Sequence, residues 1–331
     1  MKRLIITTSA SGAGWLKRAN VGDQVEALEH RLISGPLPTN SETTAFFAPR
    51  EEALGHDISH WQRWISFARA RELGPSRPGL IAMVEDFDAV ELWIDPVPNA
   101  QLVLLELLDF LRPHREIVQK LVLRHANSRI AVRGVEDIAA WRPPAEQVDL
   151  HHLEIASLAW DAFRQGTPEA WYALLTEDLG ALPCLHQTVL KLLEELPAVG
   201  TALGATEWAL LKEISPGNVG PFDVFPGEGI PDVYDYWEIG ASLDHLAHCA
   251  IPVVAGLDAG PFDMVLHDDR DRCQRYKNCK LALSELGRAL VEDRADFSRF
   301  NPVHRWWGGT ELSNDHLWRW DHANSALISP S

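Results

Sequence analysis

The chain has 331 residues, 46% of them hydrophobic, and a formal charge of -17. That is enough apolar material for a sizeable core and more length than one compact domain usually needs, so two or three units are expected. The negative charge opposes unspecific binding to nucleic acid or an anionic membrane, both of which call for a basic surface.

The opening MKRLIITTSASGAG has an apolar run of only three residues, too short for a signal peptide, and no stretch is long enough to span a bilayer. The expectation is a cytoplasmic protein with no nucleic acid and no membrane among its partners. Four cysteines, Cys184, Cys249, Cys273 and Cys279, read as free thiols in that setting.

Taken in chain order, residues 4–7 form a first strand, TTSASGAG a small-residue loop, and a helix starts at Gly14 or Trp15. In α/β folds such a loop lies at the carboxyl end of the first strand, where backbone N–H groups and a helix N-terminus can hold an anion. The loop lacks the Gly-Lys-Ser/Thr ending of a P-loop, and Lys17 stands where a dinucleotide fingerprint would place its third glycine. A second strand is expected at 24–28, before SGPLP, and a third, buried strand at 89–96 in AVELWIDP. NAQLVLLELLDFL is a strongly apolar helix, and IVQKLVLRH supplies a strand or a further helix. This alternation predicts a mostly parallel, Rossmann-like sheet over 1–140. A helical insertion carrying Trp61, Trp64, Ile65 and Phe67 is expected near 50–75.

WRPPAEQ, with two prolines, marks a break near Ala140. From 141 to 200 the chain reads as helix, with His151 and His152 at a polar, exposed helix start. The segment 201–331 begins with a helix for which Thr206 offers a cap, and its LALSELGRALVEDR resembles the passage from the wing into the last helix of a winged-helix domain. Between 201 and 272 thirteen Asp/Glu stand against three Lys/Arg, a difference of -10, so this winged-helix-like half is expected to repel phosphates.

The tail HRWWGGTELSNDHLWRWD places Trp306, Trp307, Trp318 and Trp320 around two turn signals and reads as a short Trp-rich β-meander. A clip closing onto the helices around 281–290 is the first explanation, since Trp is seldom left exposed. The second is an aromatic pocket of Trp307, Trp318, Arg319 and Trp320 for a ring-shaped ligand. Arg305 and Arg319 are expected over the rings or paired with Asp321.

Elsewhere, Thr8, Ser9, Ser11 and Gly12 of the first loop, with Asp95, Asn99 and Gln101 where the third strand meets its helix, are the candidate ligand-binding residues. Asn99 can equally cap its helix. Ser9 or Ser11 could act as a nucleophile with His30, His56 or His60 as base, but no GxSxG elbow is present and a structural loop serine is the simpler reading. Asp244, His245, His248, Cys249, His267, Cys273 and Cys279 lack the tight ligand spacing of a zinc site, so no metal is expected. The sequence leaves the identity of any cofactor open.

TTSASGAGWLK, SGPLP, ELWIDPVPNAQLVLLELLDFL, LPCLHQTVLKLLEELPAVGTALGATEWALLKEI, HRWWGGTEL and LWRWD, in this order, resemble a bacterial domain-of-unknown-function family, the one numbered eighteen thirty-five. The resemblance implies an α/β N-terminal domain and a mainly helical remainder in a bacterial cytoplasmic protein, and it implies no reaction. The chain departs from that pattern where Thr-Ser replaces Gly-Asp-Ser in the first loop, which puts metal-assisted chemistry there in doubt. It departs also in the unusual length of GHDISHWQRWISFARARELGPSRPG.

Two classes of function follow. One is an α/β protein, enzyme or not, holding a small anionic or nucleotide-like ligand at TTSASGAG and the turn from 95 to 101. The other is a regulatory module whose acidic C-terminal half binds a protein partner or forms a homodimer.

Overall fold

A computed structural model describes residues 1–49, 78–225 and 229–330. The helical insertion expected near 50–75, with His56 and His60, lies outside the described residues. The chain divides into two compact units, Met1–Val189 and Leu190–Ser331, in place of the three segments suggested by the sequence.

The first unit is built on a five-stranded sheet in the order β2-β1-β3-β4-β5. The strands are β1 (Arg3–Thr7), β2 (Gln24–Ala27), β3 (Ala89–Ile94), β4 (Leu121–His125) and β5 (Ala145–Gln147). The first four run parallel and β5 is antiparallel at one edge. Apolar, β-branched runs such as LIIT and VELWI suit parallel strands covered on both faces. β5 is the exposed AEQ that follows Pro143 and Pro144, so the proline break near Ala140 is a turn back onto the sheet and not a domain boundary.

The register puts Thr7 opposite Ala27 on one side and Trp93 on the other. Ile5, Val25, Ala27 and Trp93 therefore share a face, and they pack with Ala13 and Leu16 of α1 (Ala10–Arg18) and Ile138 of α6 (Val135–Ala140). Between these helices along the chain lie α2 (Asn40–Phe47), α3 (Leu80–Glu85), α4 (Pro98–Leu111) and α5 (Arg115–Val118). The β1-α1-β2 and β3-α4-β4 crossovers step across the sheet in opposite directions. Right-handed connections then place α1 and α4 on opposite faces. Mostly apolar, α4 is buried along most of its length and packs on α7 (Leu150–Phe163). At the start of α7, His151 is exposed but His152 is buried, its Nδ1 2.7 Å from the Asp149 carboxylate that caps the helix. The polar pair expected to face solvent is thus split by the helix cap.

α8 (Glu169–Ala173) completes the first unit, and α9 (Leu185–Glu194) leads out of it. The second unit contains α10 (Ala205–Ile214), α11 (Tyr236–His248), the strand β6 (Val254–Ala255), α12 (Met264–Asp268), α13 (Arg270–Asn278), β7 (Ala282–Leu283) and α14 (Glu285–Val291). β6 pairs antiparallel with β7, whose neighbour Leu281 bridges Val219. Two antiparallel hairpins end the chain: β8 (His304–Trp307) with β9 (Thr310–Ser313), and β10 (Arg319–Asp321) with β11 (Ala326–Ile328). Gly308 supplies the positive φ of 54° that the two-residue turn between β8 and β9 needs at its first position. No described helix is long and apolar enough to cross a membrane.

Candidate functional site

β2 and β3 flank β1 on opposite sides, so the chain reverses its direction across the sheet between β1 and β3. In an open parallel sheet the carboxyl ends at this reversal border the crevice where ligands bind. Thr7, Thr8 and Ser9 leave β1 there, and Asp95 leaves β3.

The turn is shorter than the sequence suggests. α1 begins at Ala10, not at Gly14 or Trp15, because Ser9 is its N-cap: the Ser9 hydroxyl accepts from Gly12 N–H at 3.0 Å. Ser11 and Gly12 consequently lie in the first turn of the helix, Ser11 exposed and Gly12 buried. Ser9 is occupied as a cap, and His30 is held by Glu106, so these two residues do not form the nucleophile and base considered from sequence.

A residue missed by sequence reading completes this edge. Glu29, just beyond β2, accepts from the Ala10 N–H at 2.5 Å, so a carboxylate of the chain already sits at the positive end of α1. Its position after a predicted strand was the available signal. The hydroxyls of Thr7 and Thr8 are buried and find no hydrogen-bond partner among the described residues, which is unusual for polar groups withdrawn from water.

Asp95 is 4% exposed and accepts from Ile130 N–H at 2.7 Å, tying the end of β3 to the segment after β4. Burial pushes its carboxyl up, against the lowering effects of that hydrogen bond and of Arg129. Asn99 and Gln101 turn inward. Asn99 accepts from Leu32 N–H at 2.8 Å and donates to the His30 carbonyl at 3.1 Å, while Gln101 donates to the Asp95 carbonyl at 2.8 Å. Asn99 does not cap α4, whose N-cap is Val97. Both amides are spent on buried backbone groups, while Thr8, Ser9, Ser11, Gly12 and Asp95 lie beyond the carboxyl ends of β1 and β3.

On the α4 side, His30 Nε2 lies 2.5 Å from Glu106, whose other oxygen accepts from the Thr43 hydroxyl at 2.8 Å. His30 and Glu106 are buried, and the pocket of about 650 Å³ beside them is lined by Thr43, Glu106, Asp109, Phe110 and Trp160 among others.

In the second unit, Trp307, Trp318 and Trp320 are buried and Trp306 is partly exposed. Two of them have hydrogen-bonded anchors on the segment from 192 to 199. Trp307 Nε1 donates to the Leu192 carbonyl at 2.7 Å. Trp320 N–H donates to the Pro197 carbonyl and its own carbonyl accepts from Val199 N–H, both at 2.9 Å. The tail thus extends the chain segment after α9 by strand-like pairing. Arg319 bonds to the Ala198 carbonyl at 3.1 Å and to Asp296 at 2.8 Å, and Arg305 pairs with Glu207 at 3.0 Å. Neither arginine pairs with Asp321, which binds Ala323, Asn324 and the Asn324 side chain in its own turn.

The start of α10 is also rearranged. Gly204, not Thr206, is the N-cap, and Thr206 gives its N–H and its hydroxyl to the buried Glu195 carboxylate. Among the described residues no group of three or more His, Cys, Asp or Glu side chains is placed to hold a metal ion. Asp244, from the sequence cluster weighed for zinc, accepts instead from Phe262 N–H. No protein-family profile matches the chain, and no curated protein is similar to it.

Proposed function

We propose that the protein binds a small phosphate- or carboxylate-bearing ligand of nucleotide size at the carboxyl edge between β1 and β3. The observation that carries this reading is the β2-β1-β3-β4 strand order, which brings the Thr8 hydroxyl, the N-terminus of α1 and Asp95 to the point of reversal. Glu29 holds the anion's place in the free protein. An arriving anionic group displaces it from Ala10 N–H, and the unpaired Thr8 hydroxyl gains a partner.

Thermal-shift titration with inorganic phosphate, ATP and sugar phosphates tests the reading, because a ligand binding only the folded chain raises its melting temperature. Glu29→Gln is expected to enlarge the shift by removing the competing charge. Thr8→Val is expected to abolish it while leaving the unliganded melt unchanged, since the lost hydroxyl has no partner. Absence of any shift in both the wild type and Glu29→Gln would refute the proposal.

The chain's membership of the family numbered eighteen thirty-five, and with it a bacterial and cytoplasmic setting, is part of the same reading, supported by the motifs quoted above. So is a winged-helix-like second unit with a β-meander tail. Support for the unit comes from α10, α11 and α14 around the β6–β7 pair, and support for the tail from its consecutive antiparallel hairpins. The acidic balance of 201–272 leaves such a domain without the phosphate-neutralising charge of a DNA binder.

A further inference from the structure

The second unit contains a cleft that the sheet-edge site does not account for. Its volume is about 740 Å³, within the range of roughly 300–1,000 Å³ usual for small-molecule sites. Leu203, Ala209, Pro231 and Val291 give it aliphatic walls, and the indole of Trp208, projecting from α10, stands against them. Trp208 is 40% exposed and Val199, at the mouth, is 50% exposed, so the cleft keeps an aromatic and an apolar surface open to solvent.

The mouth is acidic. Glu194, Asp293 and Asp321 reach it, and His322 is the one basic side chain among the described residues that line it. Glu194 and Asp293 have no hydrogen-bond or ion-pair partner for their carboxylates among the described residues. Gly200, at φ 96°, makes room for Asp293 against the loop before α10: a Cβ there would lie 2.6 Å from the Asp293 carboxylate. Asp321 is held by the Asn324 side chain and by the backbone of residues 323 and 324, which keep its carboxyl below the usual range. The pairing of Trp320 with Pro197 and Val199 fixes this acid at the rim before anything binds. The Trp208 ring already attracts one cation, since Lys212 Nζ one helical turn away lies 5.1 Å from its centroid.

We propose that this cleft binds a small organic cation, an amine or guanidine carried on an apolar body. The body lies against Trp208, Leu203 and Val291, and the charge meets Glu194, Asp293 and Asp321. A neutral apolar molecule would bury the walls while leaving the carboxylates unanswered, and an anion would be repelled by all three.

Calorimetric titration of the full chain with phenethylamine and with phenylacetate, which share an aromatic body and differ in the sign of charge, tests the assignment. Phenethylamine is expected to bind and phenylacetate not to bind. Trp208→Ala, and Glu194→Gln combined with Asp293→Asn, should each weaken phenethylamine by about tenfold or more, and raised salt should weaken it further. The double variant changes two partnerless rim side chains and is expected to melt with the wild type, so it carries the test even if Trp208→Ala melts lower. Equal affinity for the two probes, no binding of phenethylamine at millimolar concentration, or full affinity in the folded double variant would overturn the proposal. Binding of a lysine-containing tripeptide without binding of phenethylamine would also overturn it, in favour of a protein segment as occupant.

Discussion

Glu195, immediately after α9, is 3% exposed. Burial pushes its carboxyl from the ordinary 4.5 up to about 7, and the nearby Glu207 charge adds to the rise, while hydrogen bonds from Thr206 and the charge of Arg305 oppose it. The folded chain therefore retains this proton over a range in which the unfolded chain has lost it. Stability from the protonated carboxyl is fully present below pH 4.5, falls as pH rises, and is exhausted above about 7. At roughly 1.4 kcal/mol per pH unit, ionising Glu195 in place costs the fold about 3 kcal/mol. Glu195→Gln keeps an oxygen to accept from Thr206 and cannot ionise. Relative to wild type, the variant should gain about 3 kcal/mol between pH 4 and pH 8 and be the more stable protein at pH 8. Urea unfolding of both proteins across that range measures the difference directly. Parallel pH profiles, or a variant less stable than wild type at pH 8, would show that folding does not raise the Glu195 carboxyl and that its burial is offset by other charges.

Trp320→Ala should cost about 3–5 kcal/mol, the range for a truncated core aromatic, because the ring is 2% exposed; an unchanged melting temperature would remove the clip. Asp95→Ala leaves Ile130 N–H buried without its acceptor and should cost about 1–3 kcal/mol, whereas Asp95→Asn keeps the acceptor and should cost little at neutral pH, where burial already works against the charge. Equal losses for the two substitutions in denaturant melts would refute this account of Asp95. No complex with duplex DNA is expected near physiological salt, and anisotropy titration showing binding tighter than about micromolar would contradict the acidic-surface reasoning.

The strands β1 and β3 were legible as apolar runs, and β2 as the alternation QVEA. β5 was not, since a three-residue exposed AEQ has no apolar pattern and exists only through pairing with β4. The first loop was misjudged at its boundary: two serines precede the glycines, and which one caps α1 depends on backbone geometry at Ser9. Partners distant along the chain were beyond reach for the same physical reason. His30 meets Glu106 across 76 residues, and Trp307 meets Leu192 across 115. Asn99 and Gln101 do stand at a strand-helix junction, but sequence cannot tell an amide facing a ligand from one bonded to a buried loop.

Four tryptophans close together invite a binding role, yet three of them are buried, whereas Trp208, a lone indole on a short helix, is 40% exposed. The difference lies in what each ring has on its other side. The Trp307 indole N–H and the Trp320 backbone N–H donate to the Leu192 and Pro197 carbonyls, so hydrogen bonding and burial act together to close the tail. Trp208 has no such counterpart, and α10 presents it beside a loop kept open by Gly200 and Gly204. At Gly204 an added Cβ would lie 2.9 Å from Glu195, so the loop's course, the buried carboxyl and the rim of the cleft are coupled through one contact. Replacing Gly204 should therefore disturb both the pH dependence set by Glu195 and cation binding at Trp208, whereas Glu195→Gln should alter the first and spare the second.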